Sequence, residues 1–291
     1  MYKRQITPFT KEGELDLPAL KKFVEFQIEG GIDAIVPCGS TGEAATLTED
    51  EYRTVIEAVV KQVNGRIPVI AGAGSNDTKK AVHFSEVAKE AGANALLHVT
   101  PFYNKPTPDG LVAHFKAIAE VGLPIAIYNV PGRTGLNVSP ETIVRIAREV
   151  PLVRAVKEAS GSILQMMEII KLAAAEGPEG FSVLSGDDAF TLPLIAAGGH
   201  GCISVVCNEI PKEFSEMVHL ALDGNFEEAR SANYRIWDLM NVNFIESNPI
   251  PVKTALSLMG KIELGLRLPL VPLEEKNLEA LKKVLKNLKL I

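Results

Sequence analysis

Residues 123–158 read LPIAIYNVPGRTGLNVSPETIVRIAREVPLVRAVKE. The stretch opens on one apolar run, Leu123–Asn129, and closes on another, Leu152–Glu158. Runs that are apolar at nearly every position, not at every second one, suit strands buried on both faces of a parallel sheet. Between them, Ser139–Arg148 carries apolar residues at helical spacing. Strand, helix, strand in this order predicts a parallel pair joined by a helical crossover.

The same pattern extends in both directions. Apolar runs recur at Asp33–Gly39, Ile67–Gly72, Ala93–Thr100, Phe181–Gly186 and Gly201–Val206. Helical spacing fills Thr48–Val63, Thr78–Ala91, Pro108–Val121, Ser162–Ala174, Asp188–Ala197 and Pro211–Leu222. In Thr48–Val63 the apolar face is Tyr52, Val55, Ile56, Val59, Val60 and Val63, and Thr48 with Glu51 has capping-box spacing. Counting Lys3–Pro8 as the first strand gives eight, which favours an α/β fold of the (β/α)8 TIM-barrel type over an open doubly wound sheet. No Gly-x-Gly-x-x-Gly follows the first strand, which weakens a dinucleotide-binding reading. After Gly224 the strands stop, and Asn225–Phe244, Pro251–Met259 and Leu273–Leu288 read as three further helices. The expected organisation is a barrel over residues 1–224 with a helical extension over 225–291 packed directly on it. The start is anomalous: Tyr2-Lys3-Arg4-Gln5-Ile6 offers little to bury before Thr7-Pro8-Phe9.

Composition sets the outer limits. The 291 residues are 46% hydrophobic and 23% charged with a net charge of −6, enough apolar content for a sizeable core. A pI near 5.5 with dispersed Lys and Arg argues against a nucleic-acid or anionic-membrane surface. No stretch approaches a membrane helix, and the start is no signal peptide, so a cytoplasmic protein is expected. Cys38, Cys202 and Cys207 lie in or beside apolar runs and are read as buried thiols. The five histidines show no ligand spacing, and Asp187-Asp188 reads as a helix cap, so no metal is expected.

In barrels the working residues lie at the carboxyl ends of strands and in the loops beyond. There the chain has Gly39-Ser40-Thr41-Gly42-Glu43, Thr100-Pro101-Phe102-Tyr103-Asn104, Tyr128 through Gly135, Lys157-Glu158-Ala159-Ser160 and Ser185-Gly186-Asp187-Asp188. Lys157 sits deep in an apolar run, on the same strand face as Val153 and Ala155. A buried ammonium is costly, so this amine is either paired, with Glu158 for example, or tuned toward the neutral nucleophile. Backbone N–H groups of the Gly39–Glu43 loop, with Ser40 and Thr41 hydroxyls, suit a carboxylate; an ordinary Gly-rich turn is the alternative. Tyr128 at a strand end is placed to relay protons or merely to satisfy its hydroxyl. Arg133 on the same rim suits bidentate capture of a carboxylate or a surface ion pair.

Taken together, and with Asn248-Pro249-Ile250-Pro251-Val252-Lys253, these motifs resemble the dihydrodipicolinate synthase family from about Thr7 to the C-terminus, in the same order. The resemblance implies a class I, cofactor-free and metal-independent condensation of pyruvate with L-aspartate 4-semialdehyde, a step toward diaminopimelate and lysine. It makes Lys157 the imine-forming residue and Tyr128 the proton carrier, in a relay with Ser40 and Tyr103. It gives the pyruvate carboxylate to the backbone around Ser40 and Thr41, and the aldehyde's carboxylate to Arg133. Gly186 and Ile203 line the pocket in relatives. The Tyr103 position serves the neighbouring subunit's site, which implies a homotetramer built as a dimer of dimers. Sibling pyruvate aldolases, such as N-acetylneuraminate or keto-deoxy sugar acid lyases, share Lys157 and Tyr128, so the second substrate decides between them; the N-acetylneuraminate lyases lack the Arg133-Thr134-Gly135 ending. A non-catalytic barrel is the reading from a different class, against which the joint presence of these side chains speaks.

Three departures qualify the resemblance. Ser40 stands where many synthases carry Thr, with the hydroxyl retained. Lys80, Glu49, Tyr52 and Phe102 replace the side chains that bind lysine in feedback-inhibited relatives, and the like charge of Lys80 opposes a bound lysine. Lys3 and Arg4 occupy a first strand that is apolar in relatives, suggesting an altered start that puts charge toward the barrel interior.

Overall fold

A computed structural model describes the backbone of Tyr2–Ile291 and the side chains of Gln5–Ile291. In chain order the strands are β1 (Tyr2–Arg4), β2 (Ala34–Val36), β3 (Ile70–Gly72), β4 (Ala95–Val99), β5 (Ile125–Asn129), β6 (Val153–Glu158), β7 (Ser182–Ser185) and β8 (Ile203–Ser204). The helices are α1 (Leu17–Glu29), α2 (Glu49–Val63), α3 (Thr78–Glu90), α4 (Pro108–Ala119), α5 (Pro131–Thr134), α6 (Pro140–Glu149), α7 (Ile163–Glu176), α8 (Thr191–Ala196) and α9 (Pro211–Leu222), then α10 (Phe226–Arg235), α11 (Trp237–Val242), α12 (Ile250–Leu258) and α13 (Glu275–Asn287). The strand order is β2-β1-β8 in one sheet and β3-β4-β5-β6-β7 in another, with parallel registers. Eight strands, each followed by a helix and ordered cyclically, make the (β/α)8 fold.

The chain forms two compact units, Met1–Ile67 with Ser204–Ile291, and Pro68–Ile203. In the first, Ile6 after β1, Phe23 of α1, Val205 after β8, and Val252 and Leu256 of α12 share one buried cluster with Ile262. Helix α12, beyond residue 224, is thus core to that unit. In the second, the β3–β7 sheet is covered by amphipathic helices. Helix α6 turns Ile143 and Ile146 fully inward, each contributing about 1.5–3 kcal/mol of burial.

Local signals explain most boundaries. Thr48 and Glu51 form the expected capping box on α2, with Glu51 N–H donating to Thr48 Oγ1 at 3.2 Å and Thr48 N–H to Glu51 Oε2 at 2.9 Å. The run Asp33–Gly39 pairs only over β2, because Pro37 has no N–H and Cys38 adopts φ 55°. The segment 225–244 is two helices, not one: Ile236, at φ −106° and ψ 4° and itself buried, separates α10 from α11. Helices α1 and α5 lie outside the stretches in which helical spacing is read. The backbone of Tyr2–Arg4 pairs in register with Ala34–Val36. The expectation that Lys3 and Arg4 direct charge into the barrel concerns side chains outside the described residues. No helix among the described residues is long and apolar enough to cross a membrane.

Candidate active site

Tyr128 and Lys157 are register partners across β5 and β6. Both are buried, and the Lys157 Nζ lies 3.6 Å from the centroid of the Tyr128 ring. The ring's negative face offsets part of the desolvation that a buried ammonium suffers. Strand alternation sends the next side chain, Glu158, to the opposite face. Its fully buried carboxylate accepts hydrogen bonds from Asn129 Nδ2 at 2.9 Å, the Ser160 N–H at 2.7 Å and Gln165 Nε2 at 3.3 Å. The alternative in which Glu158 serves as the ion-pair partner of Lys157 is therefore overturned.

Gly186 follows β7, and its N–H donates to the Glu158 carbonyl at 2.7 Å. A Cβ at this position would stand 2.6 Å from the Ala159 Cβ, so close backbone approach demands glycine. Ile203, fully buried, opens β8.

Arg133 lies exposed on the single helical turn α5, which ends at Gly135 with φ 71°. The N–H of Tyr103 donates to the Thr134 carbonyl at 3.3 Å, joining the loop after β4 to this turn. Asn76 Nδ2 donates to the Phe102 carbonyl and Asn104 Nδ2 to the Asn76 carbonyl. Held this way, Tyr103 has φ 72° and is 89% exposed. A bulky residue in the left-handed region is strained, and such strain concentrates at functional positions.

In the other unit, Ser40, Thr41 and Gly42 form one 3-10 turn after β2, flanked by Cys38 at φ 55° and Glu43 at φ 52°. Ser40 is half-buried and Thr41 fully buried. The turn is tied down at Thr41, Gly42 and the flanking Glu43. Asn248 Nδ2 donates to Thr41 Oγ1 at 2.8 Å, and Thr7 Oγ1 donates to the Gly42 carbonyl at 2.7 Å. The Lys253 ammonium pairs with Glu43 Oε1 at 2.6 Å, and the Arg267 N–H donates to Glu43 Oε2. Lys253 Nζ and the Arg267 guanidinium both lie over the Phe9 ring, 4.3 and 4.2 Å from its centroid. Burial holds the Lys253 ammonium below the usual lysine range, and Glu43 opposes that shift. The motif around Asn248–Lys253 thus supports the turn that holds Ser40 and Thr41.

Sequence reasoning singled out Lys157, Tyr128 and the Ser40–Thr41 turn, and quoted Glu43 and Lys253 within its motifs without giving either a role. Lys253 carries a weak signal, a charge inside the otherwise uncharged stretch 249–260, and Glu43 ends a Gly-rich turn. Arg267, far along the chain from Glu43 and Glu51, carries none. Among the described residues no group of three or more His, Cys, Asp or Glu could hold a metal ion. Asp187 Oδ1 accepts from the Ala189 N–H, as a cap does. The three cysteines are buried and form no disulfide, and burial pushes the Cys38 thiol far above its ordinary range. Of the positions read as an effector site, Lys80 and Glu49 are exposed and Tyr52 is buried in α2.

Comparison with known proteins identifies the family. The family model described as the Dihydrodipicolinate synthetase family matches residues 2–288. A 4-hydroxy-tetrahydrodipicolinate synthase of Maridesulfovibrio salexigens is 54% identical over 282 residues, 97% of this chain and 95% of the relative. The crystal structure of dihydrodipicolinate synthase from Thermotoga maritima superimposes with a TM-score of 0.97 at 46% identity, covering 100% of this chain and 98% of that one. A chloride-inhibited dihydrodipicolinate synthase from Acinetobacter baumannii, complexed with pyruvate, gives 0.96 at 44% identity, with 100% and 98% covered.

Proposed function

The chain belongs to the Dihydrodipicolinate synthetase family and is a lyase of the 4-hydroxy-tetrahydrodipicolinate synthase type, and from that premise we propose how its residues divide the reaction. The observation that carries the reading is the buried Lys157 ammonium stacked on the Tyr128 phenol. The Lys157 amine, once deprotonated, adds to the C2 carbonyl of pyruvate. The C–N bond forms and the carbonyl oxygen leaves as water, taking up two protons. Tyr128 supplies and recovers those protons, in a relay with the hydroxyls of Ser40 and Tyr103. The resulting protonated imine withdraws electrons from the neighbouring methyl carbon. Loss of a proton there gives an enamine that attacks the aldehyde of L-aspartate 4-semialdehyde. The imine nitrogen is the electron sink, so no metal or cofactor is invoked.

The turn at Ser40 and Thr41 receives the pyruvate carboxylate, Arg133 the carboxylate of the second substrate, and Gly186 and Ile203 the pocket wall. The protruding, strained Tyr103 suits service to a neighbouring subunit, and a cytoplasmic homotetramer is the assembly this reading calls for. Lys80 at the effector position makes the enzyme insensitive to lysine; clear inhibition at sub-millimolar lysine would overturn that. The test of the reaction is semialdehyde-dependent consumption of pyruvate, with Lys157→Ala in parallel. Turnover that survives EDTA and vanishes in the variant is expected. Borohydride trapping of pyruvate without turnover would redirect the assignment to a sibling aldolase.

A further inference from the structure

Behind the Lys157–Tyr128 pair lies a closed polar network. Asn129 pairs in register with Glu158, one step beyond Tyr128 with Lys157. Asn129 Nδ2 donates to Glu158 Oε2 and to Asn137 Oδ1, each at 2.9 Å, while its Oδ1 accepts from the Val138 N–H at 3.1 Å. Asn137 and Gln165 exchange amide hydrogen bonds at 2.8 and 3.0 Å, and Gln165 Nε2 also reaches Glu158 Oε2. The network therefore joins β5, β6, α7 and the segment that runs on from the Arg133 turn. Its hub is a fully buried carboxylate whose donors are amides and a backbone N–H.

A buried carboxylate is costly, and neutral donors stabilise it without cancelling its charge. At this level of the sheet the titratable groups are Tyr128 on β5 and Lys157 and Glu158 on β6. β7 places Leu184 and Ser185 opposite the last two, with Asp187 and Asp188 in the turn that follows. We propose that Glu158 is a positioning residue for Lys157: its carboxylate fixes the β5–β6 register that stacks amine on phenol, and its charge favours the cationic imine formed there. The inference rests on the imine chemistry proposed above.

Glu158→Gln keeps the size and one acceptor oxygen but removes the charge. Glu158→Asp keeps the charge and shortens the reach. The readout is pyruvate-dependent borohydride trapping at Lys157 across pH, beside kcat and KM. In the Gln variant the pH midpoint of trapping is expected to fall by about one unit, the Coulomb effect of one nearby charge at an effective dielectric of about 20. Its kcat is expected to fall at least tenfold, with the KM for pyruvate within about threefold of wild type. In the Asp variant the rate drops but the midpoint stays. A wild-type midpoint and kcat in Glu158→Gln would overturn the inference, as would the same midpoint shift in both variants. Should Glu158→Gln not fold, the Asp variant decides alone: a shifted midpoint overturns the inference and an unshifted one with reduced rate supports it. Absence of any adduct in the wild-type enzyme would instead overturn the imine reading itself.

Discussion

Lys157 and Lys253 are both buried lysines, and the contrast between them shows how position decides role. Both ammonium groups lie over an aromatic ring, but Lys253, in α12, is also paired with the Glu43 carboxylate, whereas Lys157 sits at a strand end beside Tyr128. The Glu43–Lys253 pair is sealed from solvent, with side-chain exposures of 1% and 0%. Replacing one partner of such a pair leaves the other charge buried and uncompensated, which costs about 3–5 kcal/mol. Lys253→Met is therefore expected to lower the free energy of unfolding by that amount. Adding Glu43→Gln should recover part of the loss, because the orphaned charge is then gone. Denaturant titration of the two single variants and the double variant measures the coupling; strict additivity would contradict it. Residues of this kind resist sequence reading. Lys157 betrays itself because the strand face of Val153 and Ala155 has no reason to contain an ammonium. Lys253 lies in a helix, where one polar position in four looks like an ordinary solvent face.

At the level of elements, periodicity predicts well and the ends are set by chemistry that periodicity ignores. All seven apolar runs and the polar start became strands, yet β2 stops at Pro37 and Cys38, and β8 is reduced to two residues. Helix α2 was readable to its cap, since Thr48 and Glu51 carry the signal within four residues. That cap is also tied to a distant element, because Arg267 Nη1 donates to Glu51 Oε2 at 2.8 Å. The guanidinium holds the Glu51 carboxyl down at about 2, well below its ordinary value. Its folded-state pKa is depressed, so its contribution is present above pH ~4.5 and is lost as the pH falls toward 2. Thr48→Ala is expected to cost about 1 kcal/mol at pH 7. Glu51→Gln should cost stability at pH 7 but little at pH 2. Thermal melts of that variant and wild type should converge between those limits; a constant gap would contradict the linkage.

For the molecule as a whole, strand–helix alternation gave the fold and resemblance gave the chemistry, but its response to acid depends on contacts seen only in three dimensions. His98 on β4 is fully buried with its Nε2 3.1 Å from Ser85 Oγ. The single hydroxyl proton of Ser85 is spent on the Ala81 carbonyl at 2.6 Å, so its oxygen accepts and His98 carries its proton on Nε2. The other ring nitrogen, Nδ1, is buried with no acceptor for a second proton. His114 is likewise buried, bonded to Thr78 Oγ1 through Nδ1 at 2.9 Å, and its Nε2 has no partner. Burial pushes His98 down to about 3, with His114 adding to the shift, and His114 down to about 4. Both folded-state values are depressed from 6.5, so the unfolded chain takes up protons first and stability falls as pH drops below that value. For His98 alone the loss between pH 7 and pH 5 is about 2 kcal/mol. His98→Asn should cost stability at neutral pH, where packing against Phe115 is lost, yet flatten the decline from pH 6.5 to 5. Denaturant melts at those two values separate the outcomes: a wild-type slope in the variant would mean that the acid response arises from other groups.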